Sequence, residues 1–194
     1  MSDVDSKILA AFSQLVVQYG YQGTTTKKIA QAAQVNESTL FRHFKDKRGI
    51  LQALVQNYMT DIQTVGQNYQ LIGDLEQDLM NFAIIYQNFV DQHLALFLTA
   101  IRESGNIPEL AQPIKMLLEL VREILTKKLL KMQQTGEIST NINIELEINN
   151  LILLNLGQAI MQHSFPKSVF QLSRTTFVES NIRVYAQHLK PLKD

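Results

Sequence analysis

Apolar side chains recur along most of this chain at intervals of three and four residues, the spacing of one buried face on an α-helix. Only four prolines and eight glycines interrupt the pattern. The intervals predict an all-α protein of about nine helices. The predicted helices cover, approximately, residues 6–19, 24–33, 37–44, 47–65, 74–89, 93–104, 109–134, 144–164 and 174–189.

Two signals divide this helical pattern. Gly20 follows a first helix whose buried face ends at Tyr19, and glycine can end a helix at positive φ without steric cost. The polar stretch 66–73 is the predicted connection between a small N-terminal part and a larger C-terminal part, and the fourth helix reaches past the small part. The chain is therefore expected to begin with a compact group of short helices.

The stretch 24–47 contains two short helices joined by a tight turn. Small side chains at Ala30 and Ala33 allow a second helix to cross closely. Gln34 to Asn36 form the turn, and Asn36 is the predicted N-cap of a helix over 37–44. The inward positions of that helix are Leu40 and Phe44.

The other positions of the second helix carry groups that reach DNA. Hydroxyl, guanidinium and imidazole groups bond base edges or phosphates, and aromatic rings contact thymine methyl groups. These outward residues are Glu37, Ser38, Thr39, Phe41, Arg42 and His43, and the flanking cations are Lys27, Lys28, Lys45, Lys47 and Arg48. The arrangement favours a DNA-binding helix-turn-helix, and the alternative is a surface helical hairpin with scattered charge.

The formal net charge of zero conceals an asymmetry that suits this interpretation. Residues 1–50 hold seven Lys and Arg against four Asp and Glu, and the remainder holds eleven against fourteen. A local excess of positive charge attracts phosphates even when the rest of the molecule is acidic.

The same stretch resembles the DNA-binding domain of tetracycline-repressor-type (TetR family) transcriptional regulators over about residues 6–55. The residues that carry the resemblance are Gly20, Tyr21, Gln22, Gly23, Thr24, Thr25, Thr26, Ile29, Ala30, Ala33, Val35, Asn36, Ser38, Thr39, Leu40, Phe41, His43, Phe44 and Lys47. Family members usually have glycine at the turn position that Gln34 occupies here. Glutamine adopts positive φ only at some cost, so the turn is the point of departure.

The resemblance implies roles for these residues. Thr25, Thr26 and Lys27 would contact phosphate or an adjacent base, and Glu37, Ser38, Thr39 and Arg42 would face the groove. Phe41 and His43 would brace the phosphate backbone, and Lys47 would hold a phosphate. Two roles stay open for Glu37: its carboxylate accepts from a cytosine amino group, or it pairs with the helix dipole.

The resemblance further implies an architecture and partners. It divides the chain into a helix-turn-helix DNA-binding domain (residues 1–48), built from three helices, and a helical effector-binding and dimerisation domain (residues 49–194). The implied function is a dimeric repressor that a small effector releases from double-stranded operator DNA. The alternative is an all-helical interaction or scaffold protein without specific DNA binding.

A homodimer is also indicated by the segment 151–161, which is apolar nearly all round and needs burial on more than one side. The last helix offers a companion stripe, and two copies of the pair would form a four-helix bundle. That stripe consists of Phe177, Val178, Ile182, Tyr185, Ala186 and Leu189. The alternative is a central core helix in a monomer.

An effector pocket would draw on aromatic, Met and polar residues of the larger domain. The candidates are Tyr58, Phe82, Tyr86, Phe89, Phe97, Arg102, Met116, Asn155 and Gln158. Their largely apolar character suits an apolar or amphipathic ligand. The alternative for each residue is ordinary core packing.

The sequence contains few motifs that would indicate another class of function. There is no cysteine, no metal-ligand spacing among the four histidines, and no phosphate-binding loop or nucleophile elbow. No apolar run is long enough for a membrane span, and the N-terminus lacks the features of a signal peptide. We therefore expect a cytoplasmic protein that is not an enzyme and has no cofactor, no metal site and no membrane partner.

Overall fold

A computed structural model describes residues 2–70, 72–103, 105–107, 111–164 and 172–191, and every regular element within them is helical. In chain order the first eight are α1 (Asp3–Gly23), α2 (Thr26–Ala32), α3 (Glu37–Phe44), α4 (Lys47–Asn68), α5 (Leu75–Gln92), α6 (Leu94–Glu103), α7 (Ala111–Gln134) and α8 (Ile144–Ser164). They are followed by α9 (Arg174–Phe177), one π-helical turn (Val178–Ile182) and α10 (Arg183–Leu189), which run on without a break. The all-α fold class predicted from the sequence is confirmed.

Contacts divide the chain into two compact units, the first from residues 1–62 and 93–115 and the second from residues 63–92 and 116–194. The first unit contains α6, which packs on α1. All residues from Leu94 to Ala100 are buried, so this short helix is covered nearly all round. The functional division at residue 48 stays a prediction.

The first helix begins earlier and extends further than predicted. Its start is fixed by a capping box, in which the Ser2 hydroxyl accepts from the Asp5 backbone N–H and the Asp5 carboxylate accepts from the Ser2 N–H. Gly20 has φ of 73° and interrupts the helical backbone, as expected of a helix-ending glycine. The prediction of a buried Tyr19 was wrong, because its ring is 51% exposed.

The fourth helix also extends further than predicted, because α4 continues to Asn68 through part of the expected connection. Asp74 then caps α5, its carboxylate accepting from the Gln77 N–H at 2.9 Å. The predicted end at residue 104 and the predicted start at residue 109 lie outside the described residues.

In the second unit, α5 packs against α8, the π turn and α10. This packing corrects one prediction, because most of the stripe on the last helix lies in the core of its own chain. Phe177, Val178, Ile182, Ala186 and Leu189 are all buried there. The stripe is therefore already covered and is not available to a second subunit.

Candidate nucleic-acid interface

The turn between α2 and α3 is closed by two main-chain hydrogen bonds. The Gln34 N–H donates to the Gln31 carbonyl at 3.2 Å, and the Val35 N–H donates to the Ala30 carbonyl at 3.0 Å. This pair of bonds is the Schellman pattern, which requires positive φ at the first residue after the C-cap. Gln34 has φ of 55°. The turn thus has the expected helix-turn-helix geometry, with glutamine in a position that favours glycine.

The approach to α2 is fixed by Thr24 and Thr25. Thr24 is fully buried, and its hydroxyl donates to the Gly20 carbonyl at 2.8 Å, across the break in α1. Thr25 is the N-cap of α2, and its hydroxyl accepts from the Lys28 N–H at 3.3 Å. The resemblance gave Thr24 no contact of its own, but the structure shows that it holds the break in α1.

The α3 helix spans the predicted residues and separates its two faces. Leu40 is fully buried, whereas Ser38, Phe41 and Arg42 are exposed and Thr39 is half-buried. Asn36 is the N-cap, as predicted, and has extended backbone, but its side chain makes no capping hydrogen bond. Within the first unit, the outward face of α3 is therefore uncovered and could contact a ligand.

Glu37 has a partner that neither of its predicted roles included. The Thr26 hydroxyl donates to Glu37 Oε1 at 2.6 Å, so the first residue of α3 is joined to the first residue of α2. This bond fixes the carboxylate at the start of α3, where the helix dipole favours negative charge. The second carboxylate oxygen is left to accept from a base amino group.

Two further predicted contact residues have partners inside the protein. His43 Nδ1 lies 2.7 Å from Asp5 Oδ1, which ties the end of α3 to the start of α1. Lys47 donates to the Tyr21 carbonyl at 2.8 Å and lies 4.1 Å from the centre of the Tyr21 ring. Burial lowers the pKa of Lys47, and the charge of Glu103 opposes that effect. Lys47 therefore braces α4 against the break in α1, whether or not it also holds a phosphate.

The turn between α3 and α4 is unusually tight. Lys45 has φ of 65° and ψ of −51°, and the Asp46 N–H donates to the Phe44 carbonyl at 2.8 Å. These values describe a γ-turn of the rare, strained kind. A Cβ atom on Gly49 would lie 1.8 Å from the same Phe44 carbonyl oxygen, so only glycine fits there.

The basic residues that flank α3 in the sequence have exposed side chains. Lys27, Lys28, Lys45 and Arg48 are exposed. The Lys28 ammonium lies 5.0 Å from the centre of the Tyr19 ring, which gives that exposed ring a partner on the surface. Lys45 and Arg48 line one surface cleft with His43, and exposed positive charge of this kind attracts phosphates.

The residues predicted to bind an effector are distributed over both units. Tyr58 and Phe97 are buried in the first unit, with ring centres 6.0 Å apart. Phe82, Tyr86, Phe89 and Asn155 are buried in the second unit, where Gln158 is half-buried. Arg102 and Met116 are exposed, at the end of α6 and near the start of α7.

Two of the predicted polar anchors are engaged by the protein itself. Asn155 accepts from Gln87 Nε2 at 3.1 Å and donates to the Leu151 carbonyl. Gln158 donates to the Leu172 carbonyl at 2.9 Å.

Two other kinds of site find no support in the described part of the chain. Among the described residues, no group of three or more His, Asp or Glu side chains could hold a metal ion. In the same part of the chain, no helix combines the length and the apolar character needed to cross a membrane.

Comparison with known proteins agrees with the geometry. Residues 8–54 match the family described as "Bacterial regulatory proteins, tetR family". An HTH-type transcriptional regulator of Bacillus subtilis (strain 168), YvkB, itself described as uncharacterized, is 29% identical over 75% of this chain and 76% of its own length. IcaR of Staphylococcus aureus (strain Newman), a negative transcriptional regulator of the biofilm operon icaADBC, is 27% identical over 82% of this chain and 83% of its own.

The fold has close counterparts among solved structures. A bacterial regulatory protein in the tetR family from Rhodococcus RHA1 superimposes with a TM-score of 0.76 over all of both chains, at 15% identity. At this identity the likeness concerns the fold alone.

Proposed function

This chain belongs to the TetR family of bacterial transcriptional regulators, and we propose that it is a dimeric repressor that reads a pseudo-palindromic operator through α3 and is released by a small effector. The scaffold alternative is not favoured, because the relatives are described as HTH-type transcriptional regulators. Since operator DNA is the proposed ligand, we expect the protein to act in the cytoplasm.

The observation that carries this proposal is the outward face of α3. Ser38, Phe41 and Arg42 are exposed there, although the buried Leu40 fixes the helix firmly in the first unit. A short helix presented in this way, with a margin of lysine and arginine, fits the major groove of DNA. Thr25, Thr26 and Lys27 at the start of α2 would contact the backbone beside it.

A gel shift on the DNA that flanks the protein's own gene, with random duplex as competitor, tests the proposal. Arg42→Ala should reduce discrimination between sequences, by about 1–3 kcal/mol at one base pair if its contact is bidentate. Lys47→Ala should weaken binding to all duplexes about equally. If both variants lost affinity in the same sequence-independent way, the groove role of Arg42 would be wrong.

Stability measurements separate the two roles of Lys47. Its contacts with Tyr21 predict that Lys47→Ala also lowers the free energy of unfolding, whereas Lys27→Ala, at an exposed position, should not. Lys27→Ala is thus the cleaner test of a phosphate contact, because its DNA affinity can fall without a change in stability.

The proposed dimer rests on the apolar surface of α8. Leu153 is 66% exposed and Leu146 is 58% exposed, and Val184 on α10 is 61% exposed. A Cβ atom on Gly157 would meet nothing within 4 Å, so the helix surface is open at that point. We propose that a second copy covers this face, so that α8 helices of two subunits pack together.

Light scattering at several concentrations tests the dimer. Leu153→Glu should give monomers, because it would bury a charge in the proposed interface. Leu130→Glu is the matched control, since Leu130 is 42% exposed but lies on α7 and not on the proposed interface helices, and it should leave a dimer. Monomeric Leu153→Glu protein should also lose the affinity gained from two half-sites about 34–36 Å apart or a multiple of that spacing.

The proposed effector is apolar or amphipathic, and the second unit supports this chemistry. Phe82 lies between Tyr69 and Tyr86, with ring centres 5.6 Å apart on each side. The Tyr69 and Tyr86 hydroxyls and Gln87 Oε1 are buried without a hydrogen-bond partner among the described residues. A ligand with an apolar body and a hydrogen-bonding group would satisfy such atoms.

A thermal-shift screen followed by operator-release assays tests the effector. A compound that raises the melting temperature should weaken operator binding, and operator should weaken the compound's binding by the same factor. Tyr86→Phe should weaken binding of the compound, and it should leave operator binding unchanged when no compound is present. If Tyr86→Phe bound the compound like the wild type, the hydroxyl would have no part in the site.

A further inference from the structure

The contact between His43 and Asp5 constrains the imidazole chemically. Asp5 Oδ1 lies 2.7 Å from His43 Nδ1, and Asp5 Oδ2 accepts from the Ser2 N–H at 2.8 Å. Both carboxylate oxygens are therefore engaged, and the carboxylate is held by the first turn of α1. The His43 and Asp5 side chains are 23% and 22% exposed, so the pair is accessible to a ligand at its edge.

The carboxylate determines which ring nitrogen carries the proton. An ionised carboxylate only accepts hydrogen bonds, so Nδ1 must carry the hydrogen. The Ser2 backbone N–H first, and then His43, lower the pKa of the Asp5 carboxyl, so Asp5 is ionised at neutral pH. In neutral His43, Nε2 is then a lone-pair acceptor, which repels a phosphate oxygen. Nε2 becomes a donor only when the ring is an imidazolium.

The charged groups around His43 favour a phosphate at this position. On α1 it faces Asp5, and Arg42 precedes it on α3. Across the turn, Lys45, Asp46 and Arg48 line the same surface cleft of about 470 Å³. His43 also stands in the last turn of α3, where the helix dipole favours a cation.

We propose that Asp5 makes operator binding proton-linked: it fixes the tautomer of His43, so that the ring donates to a DNA phosphate only after it takes up a proton. The inference rests on the proposed DNA-binding function and adds a positioning residue outside the helix-turn-helix. The positive charge that His43 gains with the proton also offsets the repulsion between the Asp5 carboxylate and the phosphate. Binding should accordingly strengthen as the pH falls through the range in which histidine titrates.

Fluorescence anisotropy tests this linkage. The affinity for the DNA fragment identified by gel shift is measured between pH 6 and pH 8 at constant ionic strength. Wild-type affinity should rise by about tenfold per reading head toward pH 6, because the protonated ring adds one charge-assisted hydrogen bond to a phosphate. In Asp5→Asn the amide can donate to Nδ1, so that neutral His43 can carry its hydrogen on Nε2. That variant should lose most of the pH dependence and bind more tightly than the wild type at pH 8.

Two further variants separate tautomer control from general charge effects. Asp3→Asn removes the same charge from the same turn, but Asp3 pairs with Lys7, so this variant should keep the wild-type pH dependence. His43→Gln should bind independently of pH, because its amide donates without protonation. Nitrogen chemical shifts in NMR spectra should show Nδ1–H in the free wild type and a shift toward Nε2–H in Asp5→Asn.

The outcomes distinguish the inference from the function on which it rests. Tight, sequence-specific binding with no pH dependence in the wild type would overturn the linkage and leave the repressor proposal intact. An Asp5→Asn profile as steep as that of the wild type would overturn the role of Asp5. A lack of operator binding at every pH would overturn both proposals.

Discussion

At the residue scale, Gln34 shows how a main-chain motif tolerates an unfavourable side chain. Left-handed backbone costs a non-glycine residue about 1–2 kcal/mol. At Gln34 it is offset by the hydrogen bonds of the Gln34 and Val35 N–H groups, which close the turn. The turn geometry that glycine usually provides is therefore reached without glycine.

Replacing this glutamine with glycine should stabilise the protein. We expect Gln34→Gly to raise the free energy of unfolding by about 0.5–1 kcal/mol, because glycine adopts positive φ without steric cost. The control is Gln31→Gly, at an exposed helical position of α2, which should lose about 1 kcal/mol. Urea denaturation measures both changes. A loss of stability in Gln34→Gly would show that the glutamine side chain makes a contribution of its own.

At the element scale, α3 is joined to its neighbours at three points. Thr26 holds its first residue, Asp5 holds its last turn, and the γ-turn at Lys45 leads directly into α4. Because each joint involves a different helix, α3 cannot rotate about its own axis without breaking one of them.

The first joint can be measured by a double-mutant cycle. Thr26→Val and Glu37→Gln should be coupled by about 1 kcal/mol in denaturation experiments, because the 2.6 Å hydrogen bond involves a charged acceptor. Thr25→Val with Glu37→Gln is the control pair and should be additive, since the Thr25 hydroxyl bonds to the Lys28 N–H instead. Additivity in the first pair would mean that Glu37 serves DNA contact alone.

The joint between α3 and α4 should be intolerant of side chains at Gly49. Gly49→Ala should destabilise the protein by on the order of 1–3 kcal/mol, because its Cβ would collide with the Phe44 carbonyl oxygen unless the backbone shifts. Gly105→Ala serves as the control, since no atom lies within 4 Å of a Cβ there. Equal melting temperatures for the two variants would contradict the close approach.

The sequence predicted the helices well, because apolar spacing and local caps determine where a helix forms. The predicted bounds of α3 and α8 agree with the structure, and Gly20 interrupts the helical backbone as predicted. It did not predict the covered stripe on the last helix, because periodicity identifies a buried face but not its partner. Nor did it predict the Asp5–His43 contact, since the two residues are 38 positions apart and only the tertiary fold joins them.

At the scale of the whole molecule, the net charge of zero is the sum of a positive N-terminal part and a negative remainder. The cations that surround α3 come from the first 50 residues, where the balance is positive, and the remainder of the chain is acidic. DNA binding should therefore be governed by this local charge.

Operator affinity should accordingly fall steeply as salt rises, despite the neutral chain. Each phosphate contact contributes about 0.9 to the slope of log K against log salt concentration. We expect Lys27→Ala to reduce the slope by about one for each reading head. Lys127→Ala should leave it unchanged, since Lys127 is paired with Glu123 on α7. Titrations at four or more salt concentrations would measure the slopes, and equal slopes for the two variants would contradict the placement of Lys27.

The main-chain closure of the α2–α3 turn has a consequence for how this protein could acquire new targets. The bonds from Gln34 and Val35 use no side-chain atom, and Leu40 anchors α3 from beneath. These two bonds involve no atom of the Ser38, Thr39 or Arg42 side chains, so these three side chains can be exchanged without opening the turn. In the proposed mode of DNA binding, substitutions at these three positions should change sequence preference while the fold is retained, whereas a change at Glu37 would also remove its hydrogen bond with Thr26.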